Sequence, residues 1–367
     1  MHPTRSTRVP AAEGLPVHLA VPALRAALAG RGAAVLAAPP GTGKTTLVPL
    51  ALAGLALPDP AAEPAAPGKV LVLEPRRLAA RAAARRMAWL LEERVGERVG
   101  VTVRGEHRPG TLVDVVTTGV LLQRLQTEPE LEDVGTVILD ECHERHLDAD
   151  TALAFLLDVR AALRPDLRLV AASATADTGP WADLLGGGGP APVVETEAAL
   201  HPVRTVWAPP PRPLPPPHGM RVDPALLDHV AATVHRALGE HDGDILCFLP
   251  GVGEIARVAG RLGGAAADVL QVHGQAPPAV QDAVLAPAGR RRIVLATSVA
   301  ESSLTVPGVR IVVDCGLARE PRTDHARGLG ALTTVRASRA TAAQRAGRAG
   351  REAPGTVYRC WTEAEHL

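Results

Sequence analysis

Asparagine is absent from this 367-residue sequence, and lysine occurs only as Lys44 and Lys69 among 39 basic residues. The missing residue types have AT-rich codons, so a GC-rich coding bias accounts for the composition better than thermophily does. Under such a drift a surviving lysine is informative: Lys44 stands where the planar, bulkier arginine could not substitute. Aromatic residues make up only 2% of the chain, too few for a binding surface built mainly on ring stacking. No apolar run reaches the ~18–20 residues that a membrane-spanning helix needs. The N-terminus lacks an apolar signal core, so neither a membrane protein nor a secreted one is expected. Acidic and basic residues balance at 39 each, so any basic site must be local. The four cysteines, Cys142, Cys247, Cys315 and Cys360, show no C-x-x-C spacing, which argues against a zinc site or a redox pair. They are expected to be free thiols in a reducing cytoplasm.

From residue 33 onward, short apolar runs alternate with longer amphipathic stretches. The runs at 33–38, 70–74, 113–118, 136–139, 168–172 and 192–195 read as buried parallel strands. Stretches such as 76–93 and 149–163 read as the helices between them. This alternation predicts an open α/β sheet with helices on both faces. A glycine cluster at 186–190 and a proline-dominated segment at 208–219 interrupt it, and the latter is expected to be an extended loop. The alternation resumes with strands expected at 244–249, 268–273, 292–297, 310–314 and 356–361. Two tandem parallel-sheet domains are therefore expected, 18–199 and 200–367, behind a loose polar tail over 1–17.

The first strand runs into Pro39-Pro40-Gly41-Thr42-Gly43-Lys44-Thr45-Thr46 and then an apolar helical run, the setting of a phosphate-binding loop. Gly41 through Thr46 are the candidate nucleotide-binding residues. The glycines let backbone N–H groups turn inward around phosphates, and a helix start adds favourable partial charge. Lys44 is expected to reach the β- and γ-phosphates of ATP, and the Thr45 hydroxyl to hold Mg²⁺. The generic loop has Gly where this chain has Ala38, a change that a strand end tolerates. The strand at 136–139 ends in Asp140-Glu141-Cys142-His143. Carboxylates just past the C-terminal end of such a strand sit where ligands bind in open α/β sheets. Thr45, Asp140 and Glu141 are thus the candidate magnesium site, with Glu141 placed to orient and deprotonate the attacking water.

Asp-Glu-Cys-His, followed by Glu144-Arg145, resembles motif II of the DEAH-box branch of superfamily 2 helicases. Other motifs arrive in order. Glu74-Pro75-Arg76-Arg77 is similar to motif Ia, and Thr117-Thr118-Gly119 to the later nucleic-acid motif of the first domain. Ser173-Ala174-Thr175 is similar to motif III, the run ending in Leu249-Pro250-Gly251 to motif IV, and 296–305 to motif V. Gln344-Arg345-Ala346-Gly347-Arg348-Ala349-Gly350-Arg351 is similar to motif VI. The Arg-Arg-Leu-Ala-Ala-Arg run and His-Glu-Arg after the acidic pair favour the HrpB-type helicases. The resemblance covers roughly residues 20–365. It implies two RecA-like domains of P-loop fold with ATP in the cleft between them. Gln344, Arg348 and Arg351 are then expected over the phosphates, the two arginines as fingers on a helix face. It further implies that His143, Ser173 and Thr175 couple the nucleotide to movement, and that Arg86 covers one face of adenine. The chain departs from the pattern at Cys142, at Pro307 in motif V, and at Leu285, where relatives place a base-stacking aromatic. Loose nucleotide selectivity is expected from the last.

Single-stranded RNA or DNA is the implied partner, held by its backbone rather than by stacking. Arg76, Arg77, Thr117, Thr118, Gly251, Thr297 and Ser298 are the candidate contacts. Glycines flanking a short turn near 326–330 suggest a hairpin between motifs V and VI. A cytoplasmic monomer is expected. Relatives continue into winged-helix and helical domains beyond the point where this sequence ends. The expected activity is that of an ATP-dependent helicase core; a nucleic-acid-stimulated ATPase or a nucleotide-gated RNA clamp is the alternative.

Overall fold

The computed structural model describes residues 15–55, 64–175, 177–197, 201–286, 289–301, 306–324 and 329–365. The chain divides into two compact units, Met1–Ala198 and Ala199–Leu367.

The first unit carries β1 (Ala33–Ala37), β2 (Lys69–Glu74), β3 (Val99–Val103), β4 (Glu106–Arg108), β5 (Val113–Thr117), β6 (Val134–Leu139), β7 (Arg168–Ser173) and β8 (Val193–Glu195). They form one sheet in the order β4-β3-β5-β2-β6-β7-β1-β8. Every pairing is parallel except β3 with β4. Successive residues of a strand point to opposite faces, and both faces here are covered. Ala34 and Leu36 join Val70 and Val72 in one buried cluster, while Ala33 and Val35 join Leu71 and Leu73 in the other.

The second unit carries β9 (Val203–Trp207), β10 (Asp244–Phe248), β11 (Asp268–Val272), β12 (Arg292–Ala296), β13 (Val309–Asp314), β14 (Leu317–Asp324), β15 (Leu329–Arg336) and β16 (Gly355–Arg359). Six of these form a parallel sheet in the order β11-β12-β10-β13-β16-β9, and β14 with β15 forms a separate antiparallel hairpin. Residues 325–328, where the sequence suggested a turn, lie outside the described residues.

Strand ends differ from the sequence expectation by a residue or two. Thr118, for example, opens the helix Thr118–Thr127 instead of closing β5. β3, β4 and β9 were not anticipated. β9 is an edge strand with mixed exposure, so it lacks the continuous apolar run that marks the buried strands. The loose tail needs correcting at its end. Pro16–Ala20 is a short 3₁₀ helix, Val17 is buried, and its N–H donates to Thr42 O at 3.1 Å. Residues 1–14 lie outside the described part. Residues 209–217 form neither helix nor strand, in keeping with an extended loop.

Candidate active site

In the first sheet β2, β6, β7 and β1 are consecutive and parallel, so their C-terminal ends share one edge. That edge collects Glu74 at the end of β2, Asp140 and Glu141 after β6, Ser173 at the end of β7, and the phosphate loop after β1. Gly41 (φ 87°) and Gly43 (φ 96°) are in the left-handed region that side chains disfavour. A Cβ at Gly43 would also lie 2.8 Å from Leu15 Cδ1, so the N-terminal segment braces the loop. Thr42 Oγ1 donates to Pro39 O at 2.8 Å and closes the turn. The following helix begins at Leu47; Lys44–Thr46 form a turn before it.

Lys44 is buried, with Nζ 2.9 Å from Glu141 Oε1 and 3.4 Å from Asp140 Oδ1. Burial alone would lower its pKa. The charges of Asp140 and Glu141 outweigh that and raise it above the ordinary lysine value. Thr45 Oγ1 hydrogen-bonds Asp140 Oδ2. The other oxygen, Asp140 Oδ1, accepts from Glu141 N at 2.8 Å. Glu141 itself adopts φ 53°, ψ 33°, an uncommon conformation for a non-glycine residue that recurs at functional sites.

Glu74 is a member of this cluster that the sequence reading did not single out. It is 1% exposed, and burial first, then the charges of Asp140 and Glu141, push its pKa well above the usual carboxylate range. Among the described residues, neither of its carboxyl oxygens nor Glu141 Oε2 accepts a hydrogen bond. A hydroxyl and carboxylates suit a hard cation such as Mg²⁺. Among the described residues no group of three or more His, Cys, Asp or Glu is arranged to hold a metal. A cation held by Thr45 and Asp140 would need further oxygen ligands, such as phosphate and water.

His143 joins the acidic strand end to the next motif. Ala174 N donates to its Nδ1 at 3.2 Å, which leaves the proton on Nε2, 3.5 Å from Glu141 Oε2. Burial lowers the His143 pKa, favouring this neutral form. Ser173 Oγ lies 3.1 Å from both Thr175 N and Thr175 Oγ1. The three expected coupling residues are thus close in space.

In the second unit the helix Arg339–Ala346 carries Gln344, half-buried. Arg348 and Arg351 do not lie along a helix face, contrary to expectation. The helix stops before Gly347, and both arginines sit in the turns beyond it, because Gly347 and Gly350 weaken helix continuation. Arg348 is buried and donates its Nε to Glu301 O at 2.8 Å, whereas Arg351 is half-exposed. Arg345, overlooked in the sequence, is 1% exposed and ion-paired to Glu301 and Asp314.

The DEAD/DEAH box helicase family profile matches residues 20–182, and the helicase conserved C-terminal domain profile matches 227–353. The chain belongs to the DEAD/DEAH-box helicase family. It is 45% identical over 351 residues to ATP-dependent RNA helicase HrpB of Escherichia coli (strain K12), covering 93% of this chain and 40% of that protein. It is 34% identical to the probable ATP-dependent RNA helicase DHX34 of Homo sapiens, covering 90% of this chain and 29% of that protein. The crystal structure of the Escherichia coli DEAH/RHA helicase HrpB superposes with a TM-score of 0.83 at 41% identity, covering 96% of this chain and 43% of that one. The chain thus spans less than half the length of these relatives.

For a helicase of this family, the expected nucleic-acid residues are unevenly disposed. Arg77 and Ser298 are exposed at the starts of the helix Arg77–Leu90 and the 3₁₀ turn Ser298–Ala300, and Thr297 is half-buried. Arg76 is paired with Glu144 at 3.1 Å. Thr117 and Thr118 are buried where β5 becomes helix, and Gly119 beyond them is exposed. Gly251 is buried, because the Arg319 guanidinium fills the space over it. Arg86 lies 4.3 Å from the ring centroid of Trp89, an aromatic neighbour the sequence reading did not use. Leu285 ends the helix Pro278–Leu285; Ser302–Thr305 of motif V lie outside the described residues.

Proposed function

We propose that the chain is the nucleotide-hydrolysing core of an RNA helicase. It binds ATP with Mg²⁺ on the phosphate loop and couples hydrolysis to stepping along single-stranded RNA. The observation that carries this reading is the convergence of Lys44, Thr45, Asp140, Glu141 and Glu74 at one sheet edge, with His143 bonded onward to Ala174. The relatives are named ATP-dependent RNA helicases, which supports RNA as the strand.

The chemistry follows from the residues. The nucleotide phosphates draw Lys44 away from Glu141, since both are anionic partners for one ammonium. Thr45 and Asp140 would hold Mg²⁺, which would neutralise phosphate charge. Glu141, released from Lys44, orients a water and takes its proton as the water oxygen bonds to the γ-phosphorus. The bond from the γ-phosphorus to the bridging oxygen breaks, leaving ADP and phosphate. Arg351 stabilises charge that develops only in the transition state. His143, whose Nε2–H faces Glu141, passes the change in Glu141 to the Ser173–Thr175 turn. The protein acts as a monomer in the cytoplasm.

A strand-displacement assay tests this. The purified chain should separate an RNA duplex with a single-stranded tail only when ATP and Mg²⁺ are supplied. ATP turnover without strand separation would leave an RNA-stimulated ATPase. Nucleotide-dependent RNA retention with no turnover would leave a clamp.

A further inference from the structure

The base of the β14–β15 hairpin is fastened by two arginines that point to different elements. Arg345, from the helix Arg339–Ala346, donates Nε to Glu301 Oε1 at 2.9 Å and Nη1 to Asp314 Oδ1 at 2.7 Å. The same Nη1 lies 3.1 Å from Leu317 O, at the first residue of β14. Asp314 Oδ1 also accepts from Gly316 N at 2.9 Å, so one carboxylate oxygen holds both the arginine and the bend leading into the hairpin. Glu301 is shared as well: its carboxylate binds Arg345 and its carbonyl binds Arg348. On the other side, Arg319 of β14 reaches the helix Val252–Arg261, with Nη2 3.0 and 3.1 Å from the two oxygens of Glu254. Its guanidinium lies over Gly251, the start of that helix.

Arg345, Glu301 and Asp314 are all buried. A buried arginine between two carboxylates brings no stability that a packed apolar side chain could not, but it fixes direction. A displacement of β14 cannot leave Arg345 in place, because Leu317 O and Asp314 hold it. Nor can Arg345 shift without disturbing Glu301, whose backbone holds Arg348.

Resting on the helicase reading above, we propose that Arg345 is a positioning residue for nucleotide hydrolysis. The Arg345–Glu301–Asp314 cluster is the joint through which the hairpin sets the position of Arg348, whose Nε donates to Glu301 O. Arg319 ties that same hairpin to the helix starting at Gly251.

The test uses Glu301→Gln, Arg345→Lys and Arg319→Gln in the full chain. Glu301→Gln keeps size and the carbonyl that Arg348 uses; Arg345→Lys keeps charge and loses the fork. Both should bind fluorescent ATP within about twofold of wild type, yet lose about tenfold or more in kcat per folded molecule. Arg319→Gln should leave RNA-free turnover unchanged and cut RNA stimulation by about fivefold. Combining Glu301→Gln with Arg319→Gln should cost RNA stimulation no more than the worse single change, since both interrupt one relay. Wild-type kcat in Glu301→Gln and Arg345→Lys, or strictly additive losses in the double variant, would overturn the proposal. Lower melting temperatures with unchanged turnover per folded molecule, or failure of all the variants to fold, would make the cluster structural only and overturn it as well. Absence of turnover in the wild-type chain would instead refute the helicase reading.

Discussion

Replacing Lys44 by alanine should destabilise the first unit even with no nucleotide present. Glu74, Asp140 and Glu141 are all buried near Lys44, and its ammonium lies 2.9 Å from Glu141 Oε1 and 3.4 Å from Asp140 Oδ1. Removing one partner of a buried ion pair costs about 3–5 kcal/mol. For a unit of this size each kcal/mol shifts the melting temperature by roughly 2–4 °C, so a fall of about 6–20 °C is expected. The loss should depend on pH. Burial, Asp140 and Glu141 raise the folded-state pKa of Glu74, so the folded protein retains a proton that the unfolded chain releases. Stability therefore falls as pH rises from the ordinary carboxylate pKa toward the raised one, and removing Lys44 enlarges that fall. The deficit of Lys44→Ala should thus be larger at about pH 8 than at about pH 5.5. Calorimetry without nucleotide or divalent cation reads this directly. A melting temperature within about 2 °C of wild type at the higher pH would show that Lys44 does not neutralise the cluster.

Glu141→Gln should keep nucleotide binding and fold while slowing turnover by ~10²-fold or more; normal turnover would remove Glu141 from the mechanism. Arg351→Ala should lower turnover by ~10³-fold or more with nucleotide affinity nearly intact, and an equal loss of affinity would sink the finger role. With Leu285 where relatives stack the base, GTP, CTP and UTP should support turnover within about tenfold of ATP. Strict ATP dependence would point to another adenine reader, with the Arg86–Trp89 pair the first place to look. Burial raises the thiol of Cys142 to about 12, and Cys315 likewise to about 12. All four cysteines are buried, so a thiol reagent at neutral pH should react with none until the protein is unfolded; rapid labelling of the native protein would contradict the packing.

The sheet and the phosphate site were legible because their signals are local. Buried parallel strands read as apolar runs, and Gly41, Gly43 and Lys44 are close in sequence. Glu74 was legible only as part of motif Ia, because its place at the phosphate site depends on β2 lying beside β6, a pairing that no short motif encodes. Arg345 was passed over for the same reason: Glu301 and Asp314 are distant in sequence and meet it only in the folded unit. The helix-face placement of Arg348 and Arg351 failed because three-residue spacing was read as helical across Gly347 and Gly350, where the helix has already ended. Arg76 and Gly251 looked available to a strand because the sequence does not show Glu144 or Arg319 beside them.

Steady-state ATP turnover of the wild-type chain, measured with poly-RNA, with single-stranded DNA and without polymer, tests the central claim most directly. The account predicts magnesium-dependent hydrolysis that RNA stimulates and that Glu141→Gln slows by ~10²-fold or more. Turnover that ignores RNA, or that stays at the wild-type rate in Glu141→Gln, would contradict it.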